Sequence, residues 1–220
     1  MSNESQFWWN WGVNLATAIA TFGAAFVALF GDWAKAKLFS PKLVLSLQND
    51  TGEKTTVTLQ WSTEQGLQQR TEEARYYRIR LENKVRWPSA NQTAVYLLSI
   101  EEPGPDDVLQ VTWSGELPVQ WTHQAIHPVL RTIGPDIYCD LCSVVKGKWL
   151  QLHPLIVPNN FLLQRRNPTR LVVSLQAKGS EGESTISRFE IAWDGKWDDG
   201  DLEMRRHLIV KDVTQERNSI

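Results

Sequence analysis

A long uncharged segment near the N-terminus limits what this chain can fold into more than any other feature. No Asp, Glu, Lys, Arg or His occurs from Ser5 to Gly31, and the 19 residues from Gly12 to Phe30 have as their only polar members Asn14, Thr17 and Thr21. As a helix this stretch would be about 28 Å long, close to the hydrocarbon thickness of a bilayer. Tryptophans, which favour the membrane–water interface, lie at both ends: Trp8, Trp9, Trp11 and Trp33. The pattern predicts one transmembrane helix.

A cleaved signal peptide is the main alternative, because Ala34-Lys35-Ala36 has the small-x-small form of a cleavage site. The residues before the apolar run contain Glu4 and no Lys or Arg, whereas a signal peptide begins with a basic region. The apolar run is also longer than a usual signal core. We therefore predict an anchor that is retained.

Basic residues on one side of the segment predict its orientation. Lys35, Lys37 and Lys42 follow the segment, and the N-terminal tail has no basic side chain. Since positively charged flanks stay in the cytoplasm, the N-terminus is expected outside and residues 34–220 inside. With this orientation the chain is expected in the inner (plasma) membrane.

Small residues recur every four positions along the segment: Gly12, Ala16, Ala20, Ala24 and Ala28. Bulky residues such as Leu15, Ile19 and Phe26 fall on the other side. A row of small side chains lets two helix backbones approach closely in lipid. The row predicts a homo-oligomer formed through the transmembrane helix.

The sequence after Pro41 alternates between apolar and polar residues, which is typical of half-buried β-strands. Alternation is clear at 43–48, 56–61, 76–81, 171–176 and 188–193, with further candidates at 94–100, 107–113, 137–145 and 207–211. We predict an all-β sandwich of about nine strands at 41–220, after an anchor region at 1–40. The wholly polar stretch 62–74 is expected to be an exposed loop.

Several motifs of the β region resemble those of uncharacterised bacterial single-pass membrane proteins with an N-terminal anchor and an immunoglobulin-like β-sandwich. They are Tyr76-Tyr77-Arg78-Ile79-Arg80-Leu81-Glu82-Asn83-Lys84 with Thr93-Ala94-Val95-Tyr96-Leu97, Leu117-Pro118-Val119-Gln120-Trp121, and the segment from Trp193 to Trp197. The resemblance covers most of the chain and implies the fold and the anchor. It implies no catalytic activity.

Two sets of residues have the chemistry of metal ligands. Cys139 and Cys142, with His123 and His127, could hold zinc, but a strand at 137–145 would point two residues three apart to opposite faces. The acidic run from Asp194 to Asp201 lacks calcium-loop spacing and is expected to be a solvated turn. We therefore predict no metal and no other cofactor.

Tyr76, Arg78 and Arg80 share one face of a predicted strand and could form a platform for a phosphate or a base. A solvated strand with neighbouring glutamates would look the same. The chain has 23 Lys and Arg against 25 Asp and Glu, a net charge of −2, so no nucleic-acid polymer is expected as a partner. Two cysteines exclude a disulfide scaffold.

The sequence contains no catalytic motif of a known type, which favours a non-catalytic interaction module on the cytoplasmic side of the membrane. Its partner could be another protein, a second copy of the chain, or both. The alternative is a ligand-gated membrane effector whose β region senses a nucleotide-like signal, by architectural analogy with bacterial antiphage defence.

Overall fold

The computed structural model describes residues 3–38, 40–63, 66–85, 89–123, 129–166 and 168–215. The chain divides into two compact units, Met1–Ser40 and Pro41–Ile220. Each unit is described separately below.

The first unit is a single helix, α1 (Asn3–Leu38), whose stretch Trp11–Gly31 is apolar and long enough to cross a membrane. None of this stretch is buried. Two of its hydroxyl groups donate hydrogen bonds to backbone carbonyls one turn earlier: Thr17 Oγ1 to Val13 O and Thr21 Oγ1 to Thr17 O, both 2.8 Å. These internal bonds reduce the cost of placing a hydroxyl in lipid. The prediction of one N-terminal helix that is long and apolar enough to cross a membrane is confirmed.

The described residues of the second unit form thirteen strands and one short helix. They are β1 (Leu43–Leu47), β2 (Glu53–Thr63), β3 (Gly66–Asn83), β4 (Ala90–Pro103), β5 (Leu109–Pro118), β6 (Arg131–Ile133), β7 (Asp136–Val145), β8 (Trp149–Leu152), β9 (Gln164–Arg165), β10 (Thr169–Gly179), β11 (Gly182–Glu183), β12 (Ser187–Trp193), α2 (Asp201–His207) and β13 (Leu208–Asp212).

The strands form two sheets in which the described pairings are antiparallel. In the first sheet the order is β1-β3-β7-β8-β9, with β2 also paired to β3. In the second the order is β13-β12-β10-β4-β5, with β11 beside β10 and β6 beside β4. The predicted mostly-β architecture of two antiparallel sheets is confirmed.

Apolar side chains from both sheets form one core. Tyr77, Ile79 and Leu81 of β3 have no exposed surface, and the alternating residues Leu171, Val173 and Leu175 of β10 have none either. This is the period-two pattern in the sequence, which puts every second side chain on the buried face. Burial of this apolar surface is the main stabilising contribution to the fold.

The chain after β5 crosses from the second sheet to the first. Val119 N donates to Val95 O of β4 over 2.8 Å, and Trp121 then forms a β-bridge with Cys139 of β7. Asp140 N donates to Gln120 O over 2.9 Å, which continues the new pairing. The crossing places the Trp121 side chain between the sheets, where it is 1% exposed.

The predicted loop at 62–74 is wrong. Apart from two undescribed residues, this stretch belongs to β2 and β3, which pair from Glu53↔Tyr76 to Thr63↔Gly66. Since β7 joins β3 only from Ala74 onward, residues 66–73 and their partners form a two-stranded ribbon beyond the sheet. Both faces of the ribbon are solvated, so the side chains of residues 62–74 need not alternate and that stretch carries no strand signal.

Helix α2 (Asp201–His207) has no counterpart among the sequence-based predictions. It has seven residues, with Asp201 and Glu203 in its first turn, basic residues in its last turn, and Met204 as its buried member. A single buried side chain is too little for a recognisable helical period.

Candidate functional site

Tyr76, Arg78 and Arg80 lie on the face of β3 that points away from the core, because Tyr77, Ile79 and Leu81 alternate with them and are buried. Their partners across β7 are Ser143, Asp140 and Tyr138. The structure therefore brings the three predicted platform residues to one face, among the polar side chains of β7.

Arg78 is 6% exposed and is already neutralised by two carboxylates. Its Nε donates to Asp140 Oδ1 over 3.1 Å, and its Nη1 forms an ion pair with Glu53 of β2. Thr122 Oγ1 donates to the same Asp140 oxygen over 2.6 Å. A buried guanidinium held in this way is not free to take up a phosphate, because two carboxylates would first have to be displaced.

Tyr76 stacks on His153, with ring centroids 5.2 Å apart. His153 Nε2 is 2.8 Å from Ser143 Oγ, and both residues are buried. Burial lowers the pKa of His153 to about 4, against a smaller opposing effect of the Asp140 charge. Burial also raises the pKa of Tyr76. At neutral pH this histidine is therefore uncharged.

A serine–histidine hydrogen bond is the arrangement that activates a nucleophile in acyl transfer. Ser143 is only 2% exposed, and the carboxylate of Asp140 is engaged with Arg78 and Thr122. A substrate carbonyl would have no access to the hydroxyl. In this geometry the pair stabilises the sheet face and offers no site for chemistry.

Arg80 is more exposed than Arg78, with 41% of its side chain accessible. Its Nη2 and Nε lie 2.9 and 3.0 Å from Asp136 Oδ2, and its Nη1 is 3.9 Å from Glu82. The exposed cation is thus balanced by two neighbouring carboxylates, as on a solvated strand.

The prediction that Cys139 and Cys142 point to opposite faces is wrong. The register shifts between Tyr77 and Arg78, so that Tyr77 pairs with Cys142 while Ile79 pairs with Cys139. This β-bulge adds a residue to β7 and turns both thiols toward the core. Burial raises the pKa of both thiols.

No group of three or more His, Cys, Asp or Glu side chains that could hold a metal occurs in the described part of the chain. His123 lies in the turn after Trp121, with a φ of 56°. His127 lies outside the described residues. The buried, protonated thiols have the character of apolar core groups rather than zinc ligands.

The acidic segment after β12 is used in ion pairs. Asp199 Oδ1 is 3.0 Å from Lys146 Nζ and accepts a hydrogen bond of 2.8 Å from Trp197 Nε1, and together these contacts lower the pKa of Asp199. Arg75 Nη1 is 2.6 Å from Asp201 Oδ1, and its other donors reach the carbonyls of Thr51 and Asp199. Carboxylates engaged in this way stabilise the end of the sandwich instead of forming an open calcium loop.

Arg75 of β3 is completely buried, and no sequence-based prediction singled it out. Its position carried a usable signal, because Arg75 has the same parity along β3 as Tyr77, Ile79 and Leu81. An arginine on the inward face of a strand needs a carboxylate partner. That partner, Asp201, lies 126 residues further along the chain and could not be identified from spacing.

A groove of about 620 Å³ on the outer face of the second sheet was also not predicted. Glu101 and Arg188 lie in its wall and form an ion pair of 2.5 Å. Val111 and Ile186 expose apolar surface at the same groove. The residues come from five separate stretches of the chain, which is why no sequence motif marks them.

Comparisons with protein-family models, with curated proteins and with solved structures give no match to this chain. The site is therefore interpreted from its own geometry.

The buried neutral His153 makes stability depend on pH. Its pKa is about 4 in the folded protein and about 6.5 in an unfolded chain, so between these values only the unfolded chain binds the proton. We expect this difference to contribute on the order of 3 kcal/mol to the free energy of unfolding. The contribution is complete above pH 6.5 and is lost as the pH falls toward 4. Urea unfolding of the detergent-solubilised chain at a series of pH values measures it.

His153→Gln is the control for this pH dependence, because an amide can still bond to Ser143 but does not titrate. The slope of unfolding free energy against pH between 4 and 6.5 should be smaller in the variant. Equal slopes in the two proteins would contradict the assignment.

Proposed function

We propose that the chain is a single-pass protein of the bacterial inner membrane whose β unit acts in the cytoplasm as a non-catalytic interaction module. The observation that carries this proposal is the β2–β3 ribbon, which extends beyond the sheet and carries Val57, Leu59 and Trp61 on one face, with Trp61 exposed. Exposed apolar side chains on a protruding element are typical of a surface that meets another protein. The buried polar groups around Arg78, by contrast, are paired with each other.

We further propose that the sandwich is immunoglobulin-like. The support is the order of the strands: β3 lies between β1 and β7, and β10 lies between β12 and β4. These neighbours correspond to A-B-E in one sheet and G-F-C in the other, with the crossing segment beside β7 in the place of strand D. The other strands, β2, β5, β6, β8, β9, β11 and β13, would be additions to that framework.

The alternative of a ligand-gated effector has less support. A nucleotide-binding platform needs unpaired cations, and Arg78 and Arg80 are both paired with carboxylates. The interaction module requires no rearrangement of these residues.

A reporter fusion and an external protease test the proposed orientation of the chain. If Lys35, Lys37 and Lys42 keep their side of the membrane cytoplasmic, a reporter that is active only in the cytoplasm should work when fused after Ile220. External protease should then leave the β unit of intact spheroplasts uncut. Degradation of the β unit under these conditions would overturn the proposed orientation and favour a cleaved or inverted anchor.

Substitutions in the row of small residues test whether the helix forms a homo-oligomer. Ala20→Ile places a bulky side chain in the middle of the row, which separates the two backbones and should weaken self-association on the order of tenfold. Ile19→Ala, on the bulky side, is the control and should leave association unchanged. A membrane dimerisation reporter carrying the helix measures both. Equal signals from both variants and the parent would show that the small residues form no contact.

A further inference from the structure

The two edges of the β2–β3 ribbon differ in charge. The nine residues from Thr55 to Thr63 on β2 contain no charged residue, no proline and no glycine. The β3 edge of the ribbon carries Arg70, Glu72 and Glu73. Within the described part of the chain, β3 is the only strand paired with β2, so the outer edge of β2 is open.

An open strand edge presents unpaired N–H and C=O groups and can add a strand from another chain. Native proteins usually protect such edges with charges, prolines or bulges. The β3 edge of the ribbon has charges of this kind, whereas the β2 edge has none along nine residues rich in Thr, Val, Leu and Trp, which favour strands. Of the two edges, β2 is therefore the one suited to pairing.

The side chains of β2 are complementary to a second copy of the same strand. Val57, Leu59 and Trp61 have the same parity and lie on one face of the ribbon, and Trp61 is 41% exposed. Antiparallel pairing of β2 with β2 of another copy, about a two-fold axis, keeps residues of the same parity on the same face. The two apolar rows would then join into one, and no like charges would meet between Thr55 and Thr63.

We propose that the open edge of β2 pairs with β2 of a second copy of this chain, forming a four-stranded sheet across the two ribbons. This pairing rests on the proposed function, because it names the partner of the interaction module. Anchoring in a common membrane would raise the effective concentration of the copies. The neutral edge and the joined apolar row favour this partner.

Disulfide cross-linking of the full chain in membranes tests the pairing. Single cysteines replace exposed β2 residues in Thr56→Cys, Thr58→Cys and Gln60→Cys. The two native cysteines are completely buried, so they should contribute little background cross-linking. We expect intermolecular disulfides under mild oxidation, with a maximum at the position nearest the two-fold axis.

Thr71→Cys is the matched control, because Thr71 lies directly opposite Thr58 on the same ribbon face but at the β3 edge. It should cross-link several-fold less than the best β2 position. All variants carry Ala20→Ile, so that association of the helices does not mask the ribbon contact. Equal cross-linking at Thr71 and the β2 positions, or none at any of them, would overturn the pairing and leave the proposed anchored module untouched.

A second pair of variants, also carrying Ala20→Ile, tests the same contact without oxidation. Thr58→Lys adds a charge to the β2 edge and should raise the dissociation constant of the detergent-solubilised dimer about tenfold. Thr71→Lys adds the same charge on the same face at the β3 edge and should leave the constant unchanged. Equal dissociation constants for the two variants would show that β2 is not the interface.

Discussion

Trp121→Ala is expected to lower the free energy of unfolding of the β unit by about 4 kcal/mol, the largest effect of any substitution considered. Trp121 is the largest of the fully buried side chains, and it lies where the chain crosses from one sheet to the other. Its removal leaves a cavity between the sheets that close-packed neighbours can fill only in part. It also removes the hydrogen bond of 3.3 Å from Nε1 to Val129 O.

Trp61→Ala is the matched control for Trp121, because the same side chain is lost from an exposed position on the ribbon. Its effect should stay below about 1 kcal/mol, since little buried surface is lost. Urea unfolding followed by near-ultraviolet circular dichroism compares the two variants. Similar losses of stability would mean that the crossing segment does not contribute a buried tryptophan to the core.

Arg75→Ala is expected to cost about 3 kcal/mol of stability, the second largest effect. The Arg75 side chain has no exposed surface and is bonded to Asp201 and to the carbonyls of Thr51 and Asp199. Its loss leaves two carbonyl acceptors without their donor and removes the packing of the buried stem. Since the bonds join β3 to the start of α2 and to the segment before it, that end of the sandwich should loosen first.

Arg80→Ala is the control for Arg75, because Arg80 lies on the same strand and also has a carboxylate partner. Its side chain is 41% exposed and its ion pair is open to solvent, so the change should cost less than about 1 kcal/mol. Hydrogen exchange of the α2 amides provides a local measurement beside the global stability. Unchanged protection of α2 in Arg75→Ala would contradict the role assigned to this contact.

The sequence alone determined the features that depend on a local repeating pattern. The helical stretch Trp11–Gly31 follows from an apolar run long enough to cross a membrane, where a single segment can satisfy its backbone groups only as a helix. The buried faces of β3, β10 and β12 follow from period-two alternation, because one face of each strand meets the core. The resemblance to anchored immunoglobulin-like proteins and the orientation of the anchor stay predictions.

Tertiary structure alone decided what each charged side chain does. Parity along β3 separates Arg75 from Arg78, but only the fold supplies their partners: Arg78 pairs with Asp140 on a neighbouring strand and Arg75 with Asp201 at the far end of the chain. One additional residue in β7 turned both cysteines to the core, and cross-strand pairing formed a ribbon from residues expected to be a loop. Periodicity reports the environment of a residue's own strand, whereas ion pairs, bulges and open edges depend on which distant segment lies beside it.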